Sequence, residues 1–383
     1  MNKKLLAVAV AGALAAPAAA MAQVTISGIF KVGVSNISMG GTVTPGRAND
    51  SQLRVDDNSS RILFNVTEDL GGGLAAIAQL DVRFAPDQAG AAPANNPIGS
   101  GNTYVGLRST SWGTVSLGRW DLHYGKQPDD LASKAGALMA SSVSLMDYQA
   151  AGTVAVANAT RTANVIKWDS PNWGGLQLTA AYSTSPLAAS SEGDMGVAPG
   201  GDGAGMNFAA AYTAANWQIG ASIWEAETEA VNTAVATTAA NYINPRTEQS
   251  SQSVWGYIRF GGFKIGAGAN MAELTTAGTT VSDRMSLTLP VSYVTGPHNF
   301  YATFTQADDD DATVATDGAQ MISVAYVYDL SKRTSVGITY SQIDNDTAGR
   351  YNFFTGTSLG SADAAVGAGE DPTLIQLTLR HAF

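Results

Sequence analysis

The chain has 383 residues, of which 32 are acidic and 21 basic, and its net charge is -11 at neutral pH. An acidic balance of this size argues against a protein that coats nucleic acid. Because the chain contains no cysteine, a disulfide framework, a thiolate metal site and a cysteine nucleophile are also excluded.

The first segment in chain order, residues 1–22, has the parts of a secretory signal peptide. Lys3 and Lys4 precede a short apolar run, and the segment ends in small residues at Ala22. We therefore expect cleavage after Ala22 by the secretion machinery. Residues 23–383 would then form one mature domain, and the loss of two lysines would change the net charge from -11 to -13.

Beyond residue 22 the dominant pattern is the alternation of apolar and polar side chains. In VTISGIFKVGV, which starts at Val24, apolar residues recur at every second position, as they do on one face of a β-strand. The alternating segments number about 16, and each has about the length of a tilted strand that crosses a bilayer. The sequence after residue 22 contains no continuous apolar run long enough for a membrane helix.

The connections between these segments fall into two alternating classes. Short turns, such as EDLGGG at residues 68–73 and SPNWGG at residues 170–175, alternate with long stretches rich in Gly, Ala, Asp and Asn. This asymmetry is typical of an outer-membrane β-barrel. The long stretches are expected at about residues 36–58, 85–101, 185–205, 226–250, 273–282 and 344–370.

A secreted β-sandwich or repeat adhesin would also be all-β and alternating. Its turns would be of mixed length at both ends, whereas here the asymmetry is systematic. Several charges on the polar faces also need water, which a closed barrel with an aqueous lumen supplies while it leaves no sheet edge open. These charged residues are Lys31, Arg61, Arg83, Arg108, Arg259, Lys264 and Arg284.

The segment LIQLTLRHAF, residues 374–383, alternates to its last residue. A strand left unpaired here would be an exposed sheet edge, which favours aggregation. We therefore predict that it pairs with the strand that begins near Val24. Alternation from Leu377 and Leu379 places the ring of Phe383 on the lipid-facing side.

The sequence predicts no catalytic, metal or cofactor site. His123, His298 and His381 fall on a long central stretch, a short turn and the last strand, and are too scattered for a triad or a metal site. Neither G-x-S-x-G nor H-E-x-x-H occurs. The sequence therefore favours a protein that is not an enzyme.

Five blocks in collinear order resemble the proteobacterial general-diffusion porins. They are SSRILFNVTEDLGGGLAAIAQLDVRF, YVGLRSTSWGTVSLGRW, RTANVIKWDSPNWGGLQL, YVYDLSKRTSVGITYSQIDN and the final LRHAF. The resemblance runs from Val24 to Phe383. It implies a sixteen-stranded barrel in the outer membrane of a Gram-negative bacterium, assembled as a homotrimer within outer-membrane lipid and lipopolysaccharide. It also implies periplasmic termini and recognition of Phe383 by the barrel assembly machinery.

In that family the third extracellular loop folds into the lumen and faces basic residues on the wall. The resemblance places this loop at about residues 121–160, and we expect Asp129 and Asp130 to face the basic residues. Asn65 stands where the family often has lysine, which weakens the expected anion preference. The matching basic residues of the constriction are Arg61, Arg119 and Arg161. Further pore-lining residues are expected at Lys31, Arg83 and Arg108.

A charged and water-filled lumen predicts passive diffusion of small hydrophilic solutes and ions, limited by the width and the field of the constriction. Acids on the outer loops lie beyond a Debye length, about 8 Å at physiological salt, from most of the ion path. We therefore expect a weak preference for anions despite the acidic total. The alternative is a channel selective for one solute class, such as a phosphate, a sugar or a dicarboxylate, because both would use the same barrel.

Overall fold

The structure is a computed structural model that describes most of the chain from residue 23 onward. The predicted signal peptide at residues 1–22 lies outside the described residues, so its cleavage stays a prediction. The described residues are 23–41, 51–87, 98–146, 148–151, 154–157, 161–184, 186, 203–228, 231–232, 243–244, 247–354 and 366–383.

Nearly all the secondary structure in these residues is antiparallel β-sheet. The helical parts described are a 3-10 turn at Leu138–Ala140 and a short helix, α1, at Val143–Met146. No helix among the described residues is long and apolar enough to cross a membrane. The strands are β1 Gln23–Gly41, β2 Ser51–Asp57, β3 Arg61–Gly71, β4 Leu74–Arg83, β5 Thr103–Ser109, β6 Gly113–Trp120, β7 Tyr148–Ala151, β8 Val154–Ala157, β9 Thr162–Asp169, β10 Leu176–Ser183, β11 Gly203–Thr213, β12 Trp217–Thr228, β13 Val231–Asn232, β14 Ile243–Asn244, β15 Thr247–Phe260, β16 Phe263–Thr276, β17 Thr279–Thr295, β18 His298–Ala307, β19 Ala319–Asp329, β20 Thr334–Asn345 and β21 Glu370–Ala382.

The first and last strands pair and close the sheet into a barrel. β1 pairs with β21 from Ile29 to Gly41, and its other edge pairs with β2 and β3. β2 and β3 are two halves of one wall strand, interrupted at residues 58–60, while β7–β8 and β13–β14 are separate hairpins. Counting β2 and β3 as one strand turns the 17-stranded sheet into 16 wall strands. The predicted closed barrel is confirmed.

The two faces of the wall strands differ as a membrane barrel requires. On β20, Val336, Ile338 and Tyr340 are exposed, whereas the alternate residues Thr339 and Ser341 are buried. The outward faces therefore present large apolar side chains to lipid, and the inward faces present small polar side chains to the lumen and its contents. This division is the physical origin of the period-two pattern in the sequence.

Phe383 continues the pairing of β21 with β1. Its backbone N–H and carbonyl both bond to Gly28, at 3.1 and 3.0 Å. The ring lies on the outward face over Gly28, where a side chain would collide with it, and its centroid is 6.1 Å from that of Phe30. The outward position predicted for this ring is confirmed.

Aromatic rings cluster where β15 to β19 meet the short turns. The centroids of Phe260 and Phe263 are 5.5 Å apart, Phe263 is 4.4 Å from Tyr293, and Phe300 is 5.2 Å from Tyr326. Rows of aromatic residues mark the membrane–water interface of outer-membrane barrels. The short turns therefore lie near one edge of the apolar band.

Two of the connections differ from the prediction. The stretch predicted at residues 36–58 is largely strand, because β1 continues to Gly41 and β2 begins at Ser51. The stretch predicted at residues 273–282 contains only the two-residue turn Ala277–Gly278, whose φ angles of 52° and 75° suit a tight hairpin. Polar composition suggested loops there, but the threonines on either side of the turn are good strand formers.

Candidate channel constriction

After Trp120 the chain leaves the wall and runs through the inside of the barrel. We call residues 121–160 the constriction loop; its side chains are described from Asp121 to Met146. Its first residues pack on the inward face of the wall, where Leu122 is buried with Val165 and Trp224. The loop thus occupies the lumen, and its contacts with the wall determine where solutes can pass.

His123 fixes the beginning of the constriction loop to β12 and β15. Its Nδ1 is 2.9 Å from the hydroxyl of Ser222, and its Nε2 is 2.9 Å from that of Ser253 and 3.1 Å from that of Ser251. Burial, with the nearby charge of Lys126, lowers the pKa of His123 to about 3. The ring is therefore neutral at neutral pH, and hydroxyls can donate or accept at either nitrogen.

The loop next crosses β16. Pro128 lies directly over Gly266, where a Cβ atom would collide with the proline ring. On the same strand the Lys264 ammonium donates to the Pro128 carbonyl at 3.0 Å and to the Asp130 carboxylate at 2.8 Å. A small wall residue and a charged side chain together hold this part of the loop close to the wall.

Asp129 organises the loop and ties it to β18. One carboxylate oxygen accepts the Leu131 N–H at 2.9 Å and the Thr303 hydroxyl at 3.2 Å, and the other accepts the Ser142 N–H at 2.8 Å. Burial raises the pKa of Asp129 above its usual range, although these hydrogen bonds oppose the shift. Both oxygens are used within the loop and its anchor.

The remaining described part of the loop is held by β18, β19 and β20. The Lys134 ammonium donates to Asn299 at 3.0 Å and to Asp329, and the Ala137 N–H donates to the Thr339 hydroxyl at 3.0 Å. We call β12, β15, β16 and β18–β20 the seated wall, because the loop is bonded to these strands. Loop and wall share one buried apolar cluster that includes Leu131, Met139, Leu145, Met321, Val327, Ile343 and Leu374.

On its other side the loop faces a cavity of about 260 Å³. The described loop residues in its lining are Asp121, Tyr124, Ala132, Ser133 and Leu138. The opposite lining comes from β1, β3, β4 and β21 and from Arg161, which precedes β9; we call this side the basic wall. Five cationic side chains and one carboxylate line the cavity: Lys31, Arg61, Arg83, Arg161, Arg380 and Asp121.

The cations of the basic wall differ in how they are paired. The Lys31 ammonium donates to the Ala132 carbonyl of the loop at 2.8 Å, and Arg83 forms a salt bridge with Asp81 at 3.2 Å. The Nε of Arg61 is buried and has no hydrogen-bond partner in the part of the chain that the structure describes. The hydrogen bonding of the basic wall is therefore complete at some donors and incomplete at the Arg61 Nε.

Arg161 and Asp121 are held together by the backbone. The Arg161 N–H donates to the Asp121 carboxylate at 2.7 Å, and Arg161 has a φ of 47°, which is uncommon for a residue other than glycine. Asp121 is the first residue of the constriction loop and Arg161 directly follows the loop, so this hydrogen bond joins the two ends of the segment. Asp121 is thereby fixed beside the arginines.

The structure does not place Asp129 and Asp130 opposite the arginines, as the sequence analysis expected. Asp129 anchors the loop to Thr303, and Asp130 pairs with Lys264 on the seated wall. The acid that lines the cavity is Asp121. The resemblance predicted a loop here, but the direction of each carboxylate depends on contacts with strands far away in sequence. Asp147, the remaining acid of the loop, lies outside the described residues.

Arg119 and Arg108 also lie away from this cavity. Arg119 is at a β-bulge near the end of β6, and its Nε donates to the Arg161 carbonyl at 2.8 Å. It borders a separate, open cavity of about 730 Å³ together with the exposed apolar residues Leu117 and Ile166. Arg108 is exposed at the end of β5 that leads into a short turn.

Arg380 is a cavity residue that the sequence analysis missed. It lies opposite Lys31 in the register of β1 and β21. Since Leu377 and Leu379 are exposed on the outward face, alternation places Arg380 on the inward face. The same pattern that located Phe383 could therefore have identified this arginine.

Comparisons with known proteins agree with this geometry. A family model described as Gram-negative porin matches residues 7–348. Outer membrane porin protein 32 of Delftia acidovorans is 28% identical over 390 residues, which covers 100% of both chains. An outer membrane porin protein of Bordetella pertussis is 29% identical over 196 residues, so the match spans 48% of this chain and 49% of that one.

Two solved structures are similar in fold. The anion-selective porin from Comamonas acidovorans superimposes with a TM-score of 0.75 at 22% identity, covering 95% of this chain and 100% of that one. The trimer form of OmpT from Vibrio cholerae gives a TM-score of 0.62 at 13% identity, with 94% and 99% covered. At identities of 22% and 13%, these similarities show a shared fold and nothing finer.

Proposed function

The chain belongs to the Gram-negative porin family, and from this premise we propose that the basic wall makes its channel prefer anions. The protein is an outer-membrane porin, a water-filled channel through which small hydrophilic solutes and ions diffuse passively. Transport of this kind needs no energy source and is governed by the width and charge of the lumen. Family and fold are those of channel proteins, and we propose no catalytic role.

The observation that carries the proposal is the charge balance around the cavity between loop and wall. Five cationic side chains line it against one carboxylate. Asp81 offsets part of the charge of Arg83, but the balance stays positive. Charges outside this region are screened over a Debye length of about 8 Å, so the net charge of -11 for the whole chain does not decide the sign.

Each predicted site residue receives a role in this proposal. Asp129 and Asp130 hold the loop in place, and Arg119 and Arg108 act outside the narrowest part. A passing anion meets the field of the cationic side chains that line the cavity. The residues assigned to the constriction are Arg61, Arg161, Asp121, Lys31, Arg83 and Arg380. The anion-selective porin of Comamonas acidovorans, which shares the fold, supports the sign of the selectivity.

Single-channel conductance in planar bilayers tests the anion preference. When lithium replaces potassium in the chloride salt, we expect a small change in conductance, because cations carry the smaller share of the current. When gluconate replaces chloride in the potassium salt, we expect a large fall. A channel whose conductance falls more with lithium than with gluconate would contradict the proposal.

A channel selective for one solute class would show a different response, and no feature of the described residues favours it. A general-diffusion channel should conduct in proportion to salt concentration and should not saturate. Phosphate, a neutral sugar or a dicarboxylate added at millimolar concentration should leave the current steps uninterrupted. Saturation or blockade by one of these solutes would favour the selective channel instead.

We further propose maturation by cleavage after Ala22 and assembly as a homotrimer in outer-membrane lipid and lipopolysaccharide. The trimer form of OmpT, which shares the fold, supports the trimer.

The contact of the Phe383 ring with Gly28 supports a role for this residue in assembly by the barrel machinery. Intact mass should give a chain that begins at Gln23, and unheated samples should migrate as an oligomer. Phe383→Ala should lower the yield of trimer without changing the conductance of assembled channels.

A further inference from the structure

We propose that glycines of the seated wall set the aperture of the channel, because they determine how close the constriction loop lies to that wall. The inference rests on the proposed role of this loop as the narrowing. Two positions carry it: Gly266 on β16, beneath Pro128, and Gly337 on β20, beneath Ala135. Both glycines lie on the buried, inward-facing register of their strands.

At Gly266 the loop rests directly on the backbone of the wall. A Cβ atom added there would lie 2.6 Å from the Cγ of Pro128 and 3.1 Å from its Cβ. Carbon atoms of packed side chains lie about 3.5–4.0 Å apart, so the loop would have to rise by about 1 Å. The neighbouring Pro290 on β17 would be 3.2 Å away, a milder conflict that a small shift relieves.

At Gly337 the loop contact is made by backbone. A Cβ atom there would lie 2.5 Å from the Ala135 carbonyl oxygen and 2.9 Å from a methyl group of Val327. A carbonyl cannot rotate away as a side chain can, because the Ala137 N–H close by is bonded to Thr339. The conflict at this position must therefore move the loop itself.

Movement away from the seated wall narrows the passage. Ala132, Ser133 and Leu138, which flank Ala135 in the chain, line the cavity opposite the basic wall. Lys31 of that wall already donates to the Ala132 carbonyl, and the Leu138 N–H already donates to Asn58 beside it. A loop lifted at Ala135 is therefore pressed further against that side and leaves less room in the cavity. The absence of a side chain at Gly337 thus keeps the cavity open.

Gly268 supplies a matched control on the same strand, on the same face and beneath the same loop. A Cβ atom there would lie 3.4 Å from the Cβ of Gln127 and 3.5 Å from the Cδ of Pro128, which is ordinary contact. Gly268→Ala should therefore leave the loop where it is. Any general cost of replacing a strand glycine appears equally in this variant.

The test is single-channel conductance of Gly266→Ala, Gly268→Ala and Gly337→Ala, each purified as the assembled oligomer. We expect a loss of conductance in Gly266→Ala and Gly337→Ala, with slower entry of larger sugars into liposomes, and wild-type values in Gly268→Ala. Adding Pro128→Ala to Gly266→Ala removes the Cγ that the new methyl group meets. This second change should restore the conductance.

Wild-type conductance in Gly266→Ala would overturn the proposal, as would a loss that Pro128→Ala does not reverse. If Gly337→Ala fails to assemble, the Gly266 and Pro128 pair still decides. The sign of the reversal potential should be the same in all these variants, because no charge changes. A failure of the aperture proposal is therefore distinguishable from a failure of the anion preference.

Discussion

The seated wall and the basic wall face each other across the constriction loop and use opposite kinds of residue. The loop meets the seated wall through glycines, hydroxyls and single ion pairs, such as Gly266, Thr339 and Lys264 with Asp130. The basic wall instead presents long cationic side chains, such as Arg61 and Arg380, to an open cavity.

This difference follows from what each surface does. A loop can lie in one position only where its backbone groups are bonded and nothing holds it away from the wall. An ion path needs charges that are close to the ion and still hydrated. The loop therefore divides the lumen into a side that supplies most of its described anchors and a side that selects among ions, although Lys31 on the second side also bonds to the loop.

Reversing a charge on the basic wall should have the largest effect. Arg61→Glu changes the local charge by two units, and a unit charge about 4 Å from an ion in water is worth about 1 kcal/mol. The occupancy of the constriction by an anion should fall by about thirtyfold, and the reversal potential should change sign. Arg333→Glu, in an exposed turn, makes the same change of charge outside the lumen and should leave the sign unaltered.

If both variants shifted the reversal potential equally, the selectivity would reflect the overall charge of the protein. The assignment of ion selection to the basic wall would then be wrong. Equal heat-modifiable migration of the two proteins would show that both are folded.

Removing the histidine anchor should have the next largest effect, on the seated wall. His123→Ala deletes the hydrogen bonds to Ser222, Ser251 and Ser253, at about 1 kcal/mol for each bond lost. The loop should detach transiently, and the open-channel current should become noisier. Its mean selectivity should change little, since the basic wall is untouched.

The same anchor should weaken in acid. The loop binds the neutral ring, whose pKa is lowered from 6.5 to about 3, so a detached ring takes up a proton more readily. The contribution of His123 is therefore fully present above pH 6.5 and is lost as the pH falls toward about 3. In the wild type, current noise should rise as the pH falls from 6.5 to about 3. In His123→Gln, current noise should stay constant in the upper part of this pH range. Equal pH dependence in both proteins would contradict this role.

A smaller effect is expected from the ion pair on β16. Asp130→Asn keeps the size of the side chain but removes the charge that pairs with Lys264 at 2.8 Å. Because the Asp130 carboxylate is partly exposed, the pair should contribute less than about 1 kcal/mol. A slight rise in current noise is the expected result, whereas the control Asp69→Asn, near the end of β3 beside a short turn, should leave the noise at its wild-type value. A change as large as that of His123→Ala would show that this pair, rather than His123, holds the loop.

The smallest effect is expected from Arg119→Ser. Arg119 borders the separate, open cavity with Leu117 and Ile166 and is not among the residues that line the constriction cavity, so we expect its charge to act less on the ions than that of Arg61. The reversal potential of Arg119→Ser should stay close to that of the wild type. In Arg61→Ser the occupancy of the constriction by an anion should fall by about fivefold, and the reversal potential should shift toward cation selectivity. If the two serine variants shifted equally, Arg119 would belong to the constriction after all.

The barrel could be predicted from the sequence because its determinants are local. Alternation gives the two faces of each strand, and it also located Phe383 and could have located Arg380. The turn at Ala277–Gly278 was missed because polar composition was taken for a loop, although threonine also favours strands.

The interior of the barrel was predictable only in part. Arg61 and Arg161, which the resemblance named, line the cavity, and both belong to segments next to the wall strands; their role in the constriction stays a prediction. The partners of Asp129 and Asp130 were not predicted, because Thr303 and Lys264 lie more than a hundred residues away in the chain. Such contacts are set by the path of the loop, which no local pattern encodes.

The reversal potential of the wild-type channel under a potassium chloride gradient tests the central claim most directly. If the basic wall selects the ions, the zero-current potential should have the sign of the chloride equilibrium potential, despite a net charge of -11 for the chain. The shift should shrink as salt is raised, because screening weakens the field of the wall. A zero-current potential with the sign of the potassium equilibrium potential would contradict the account.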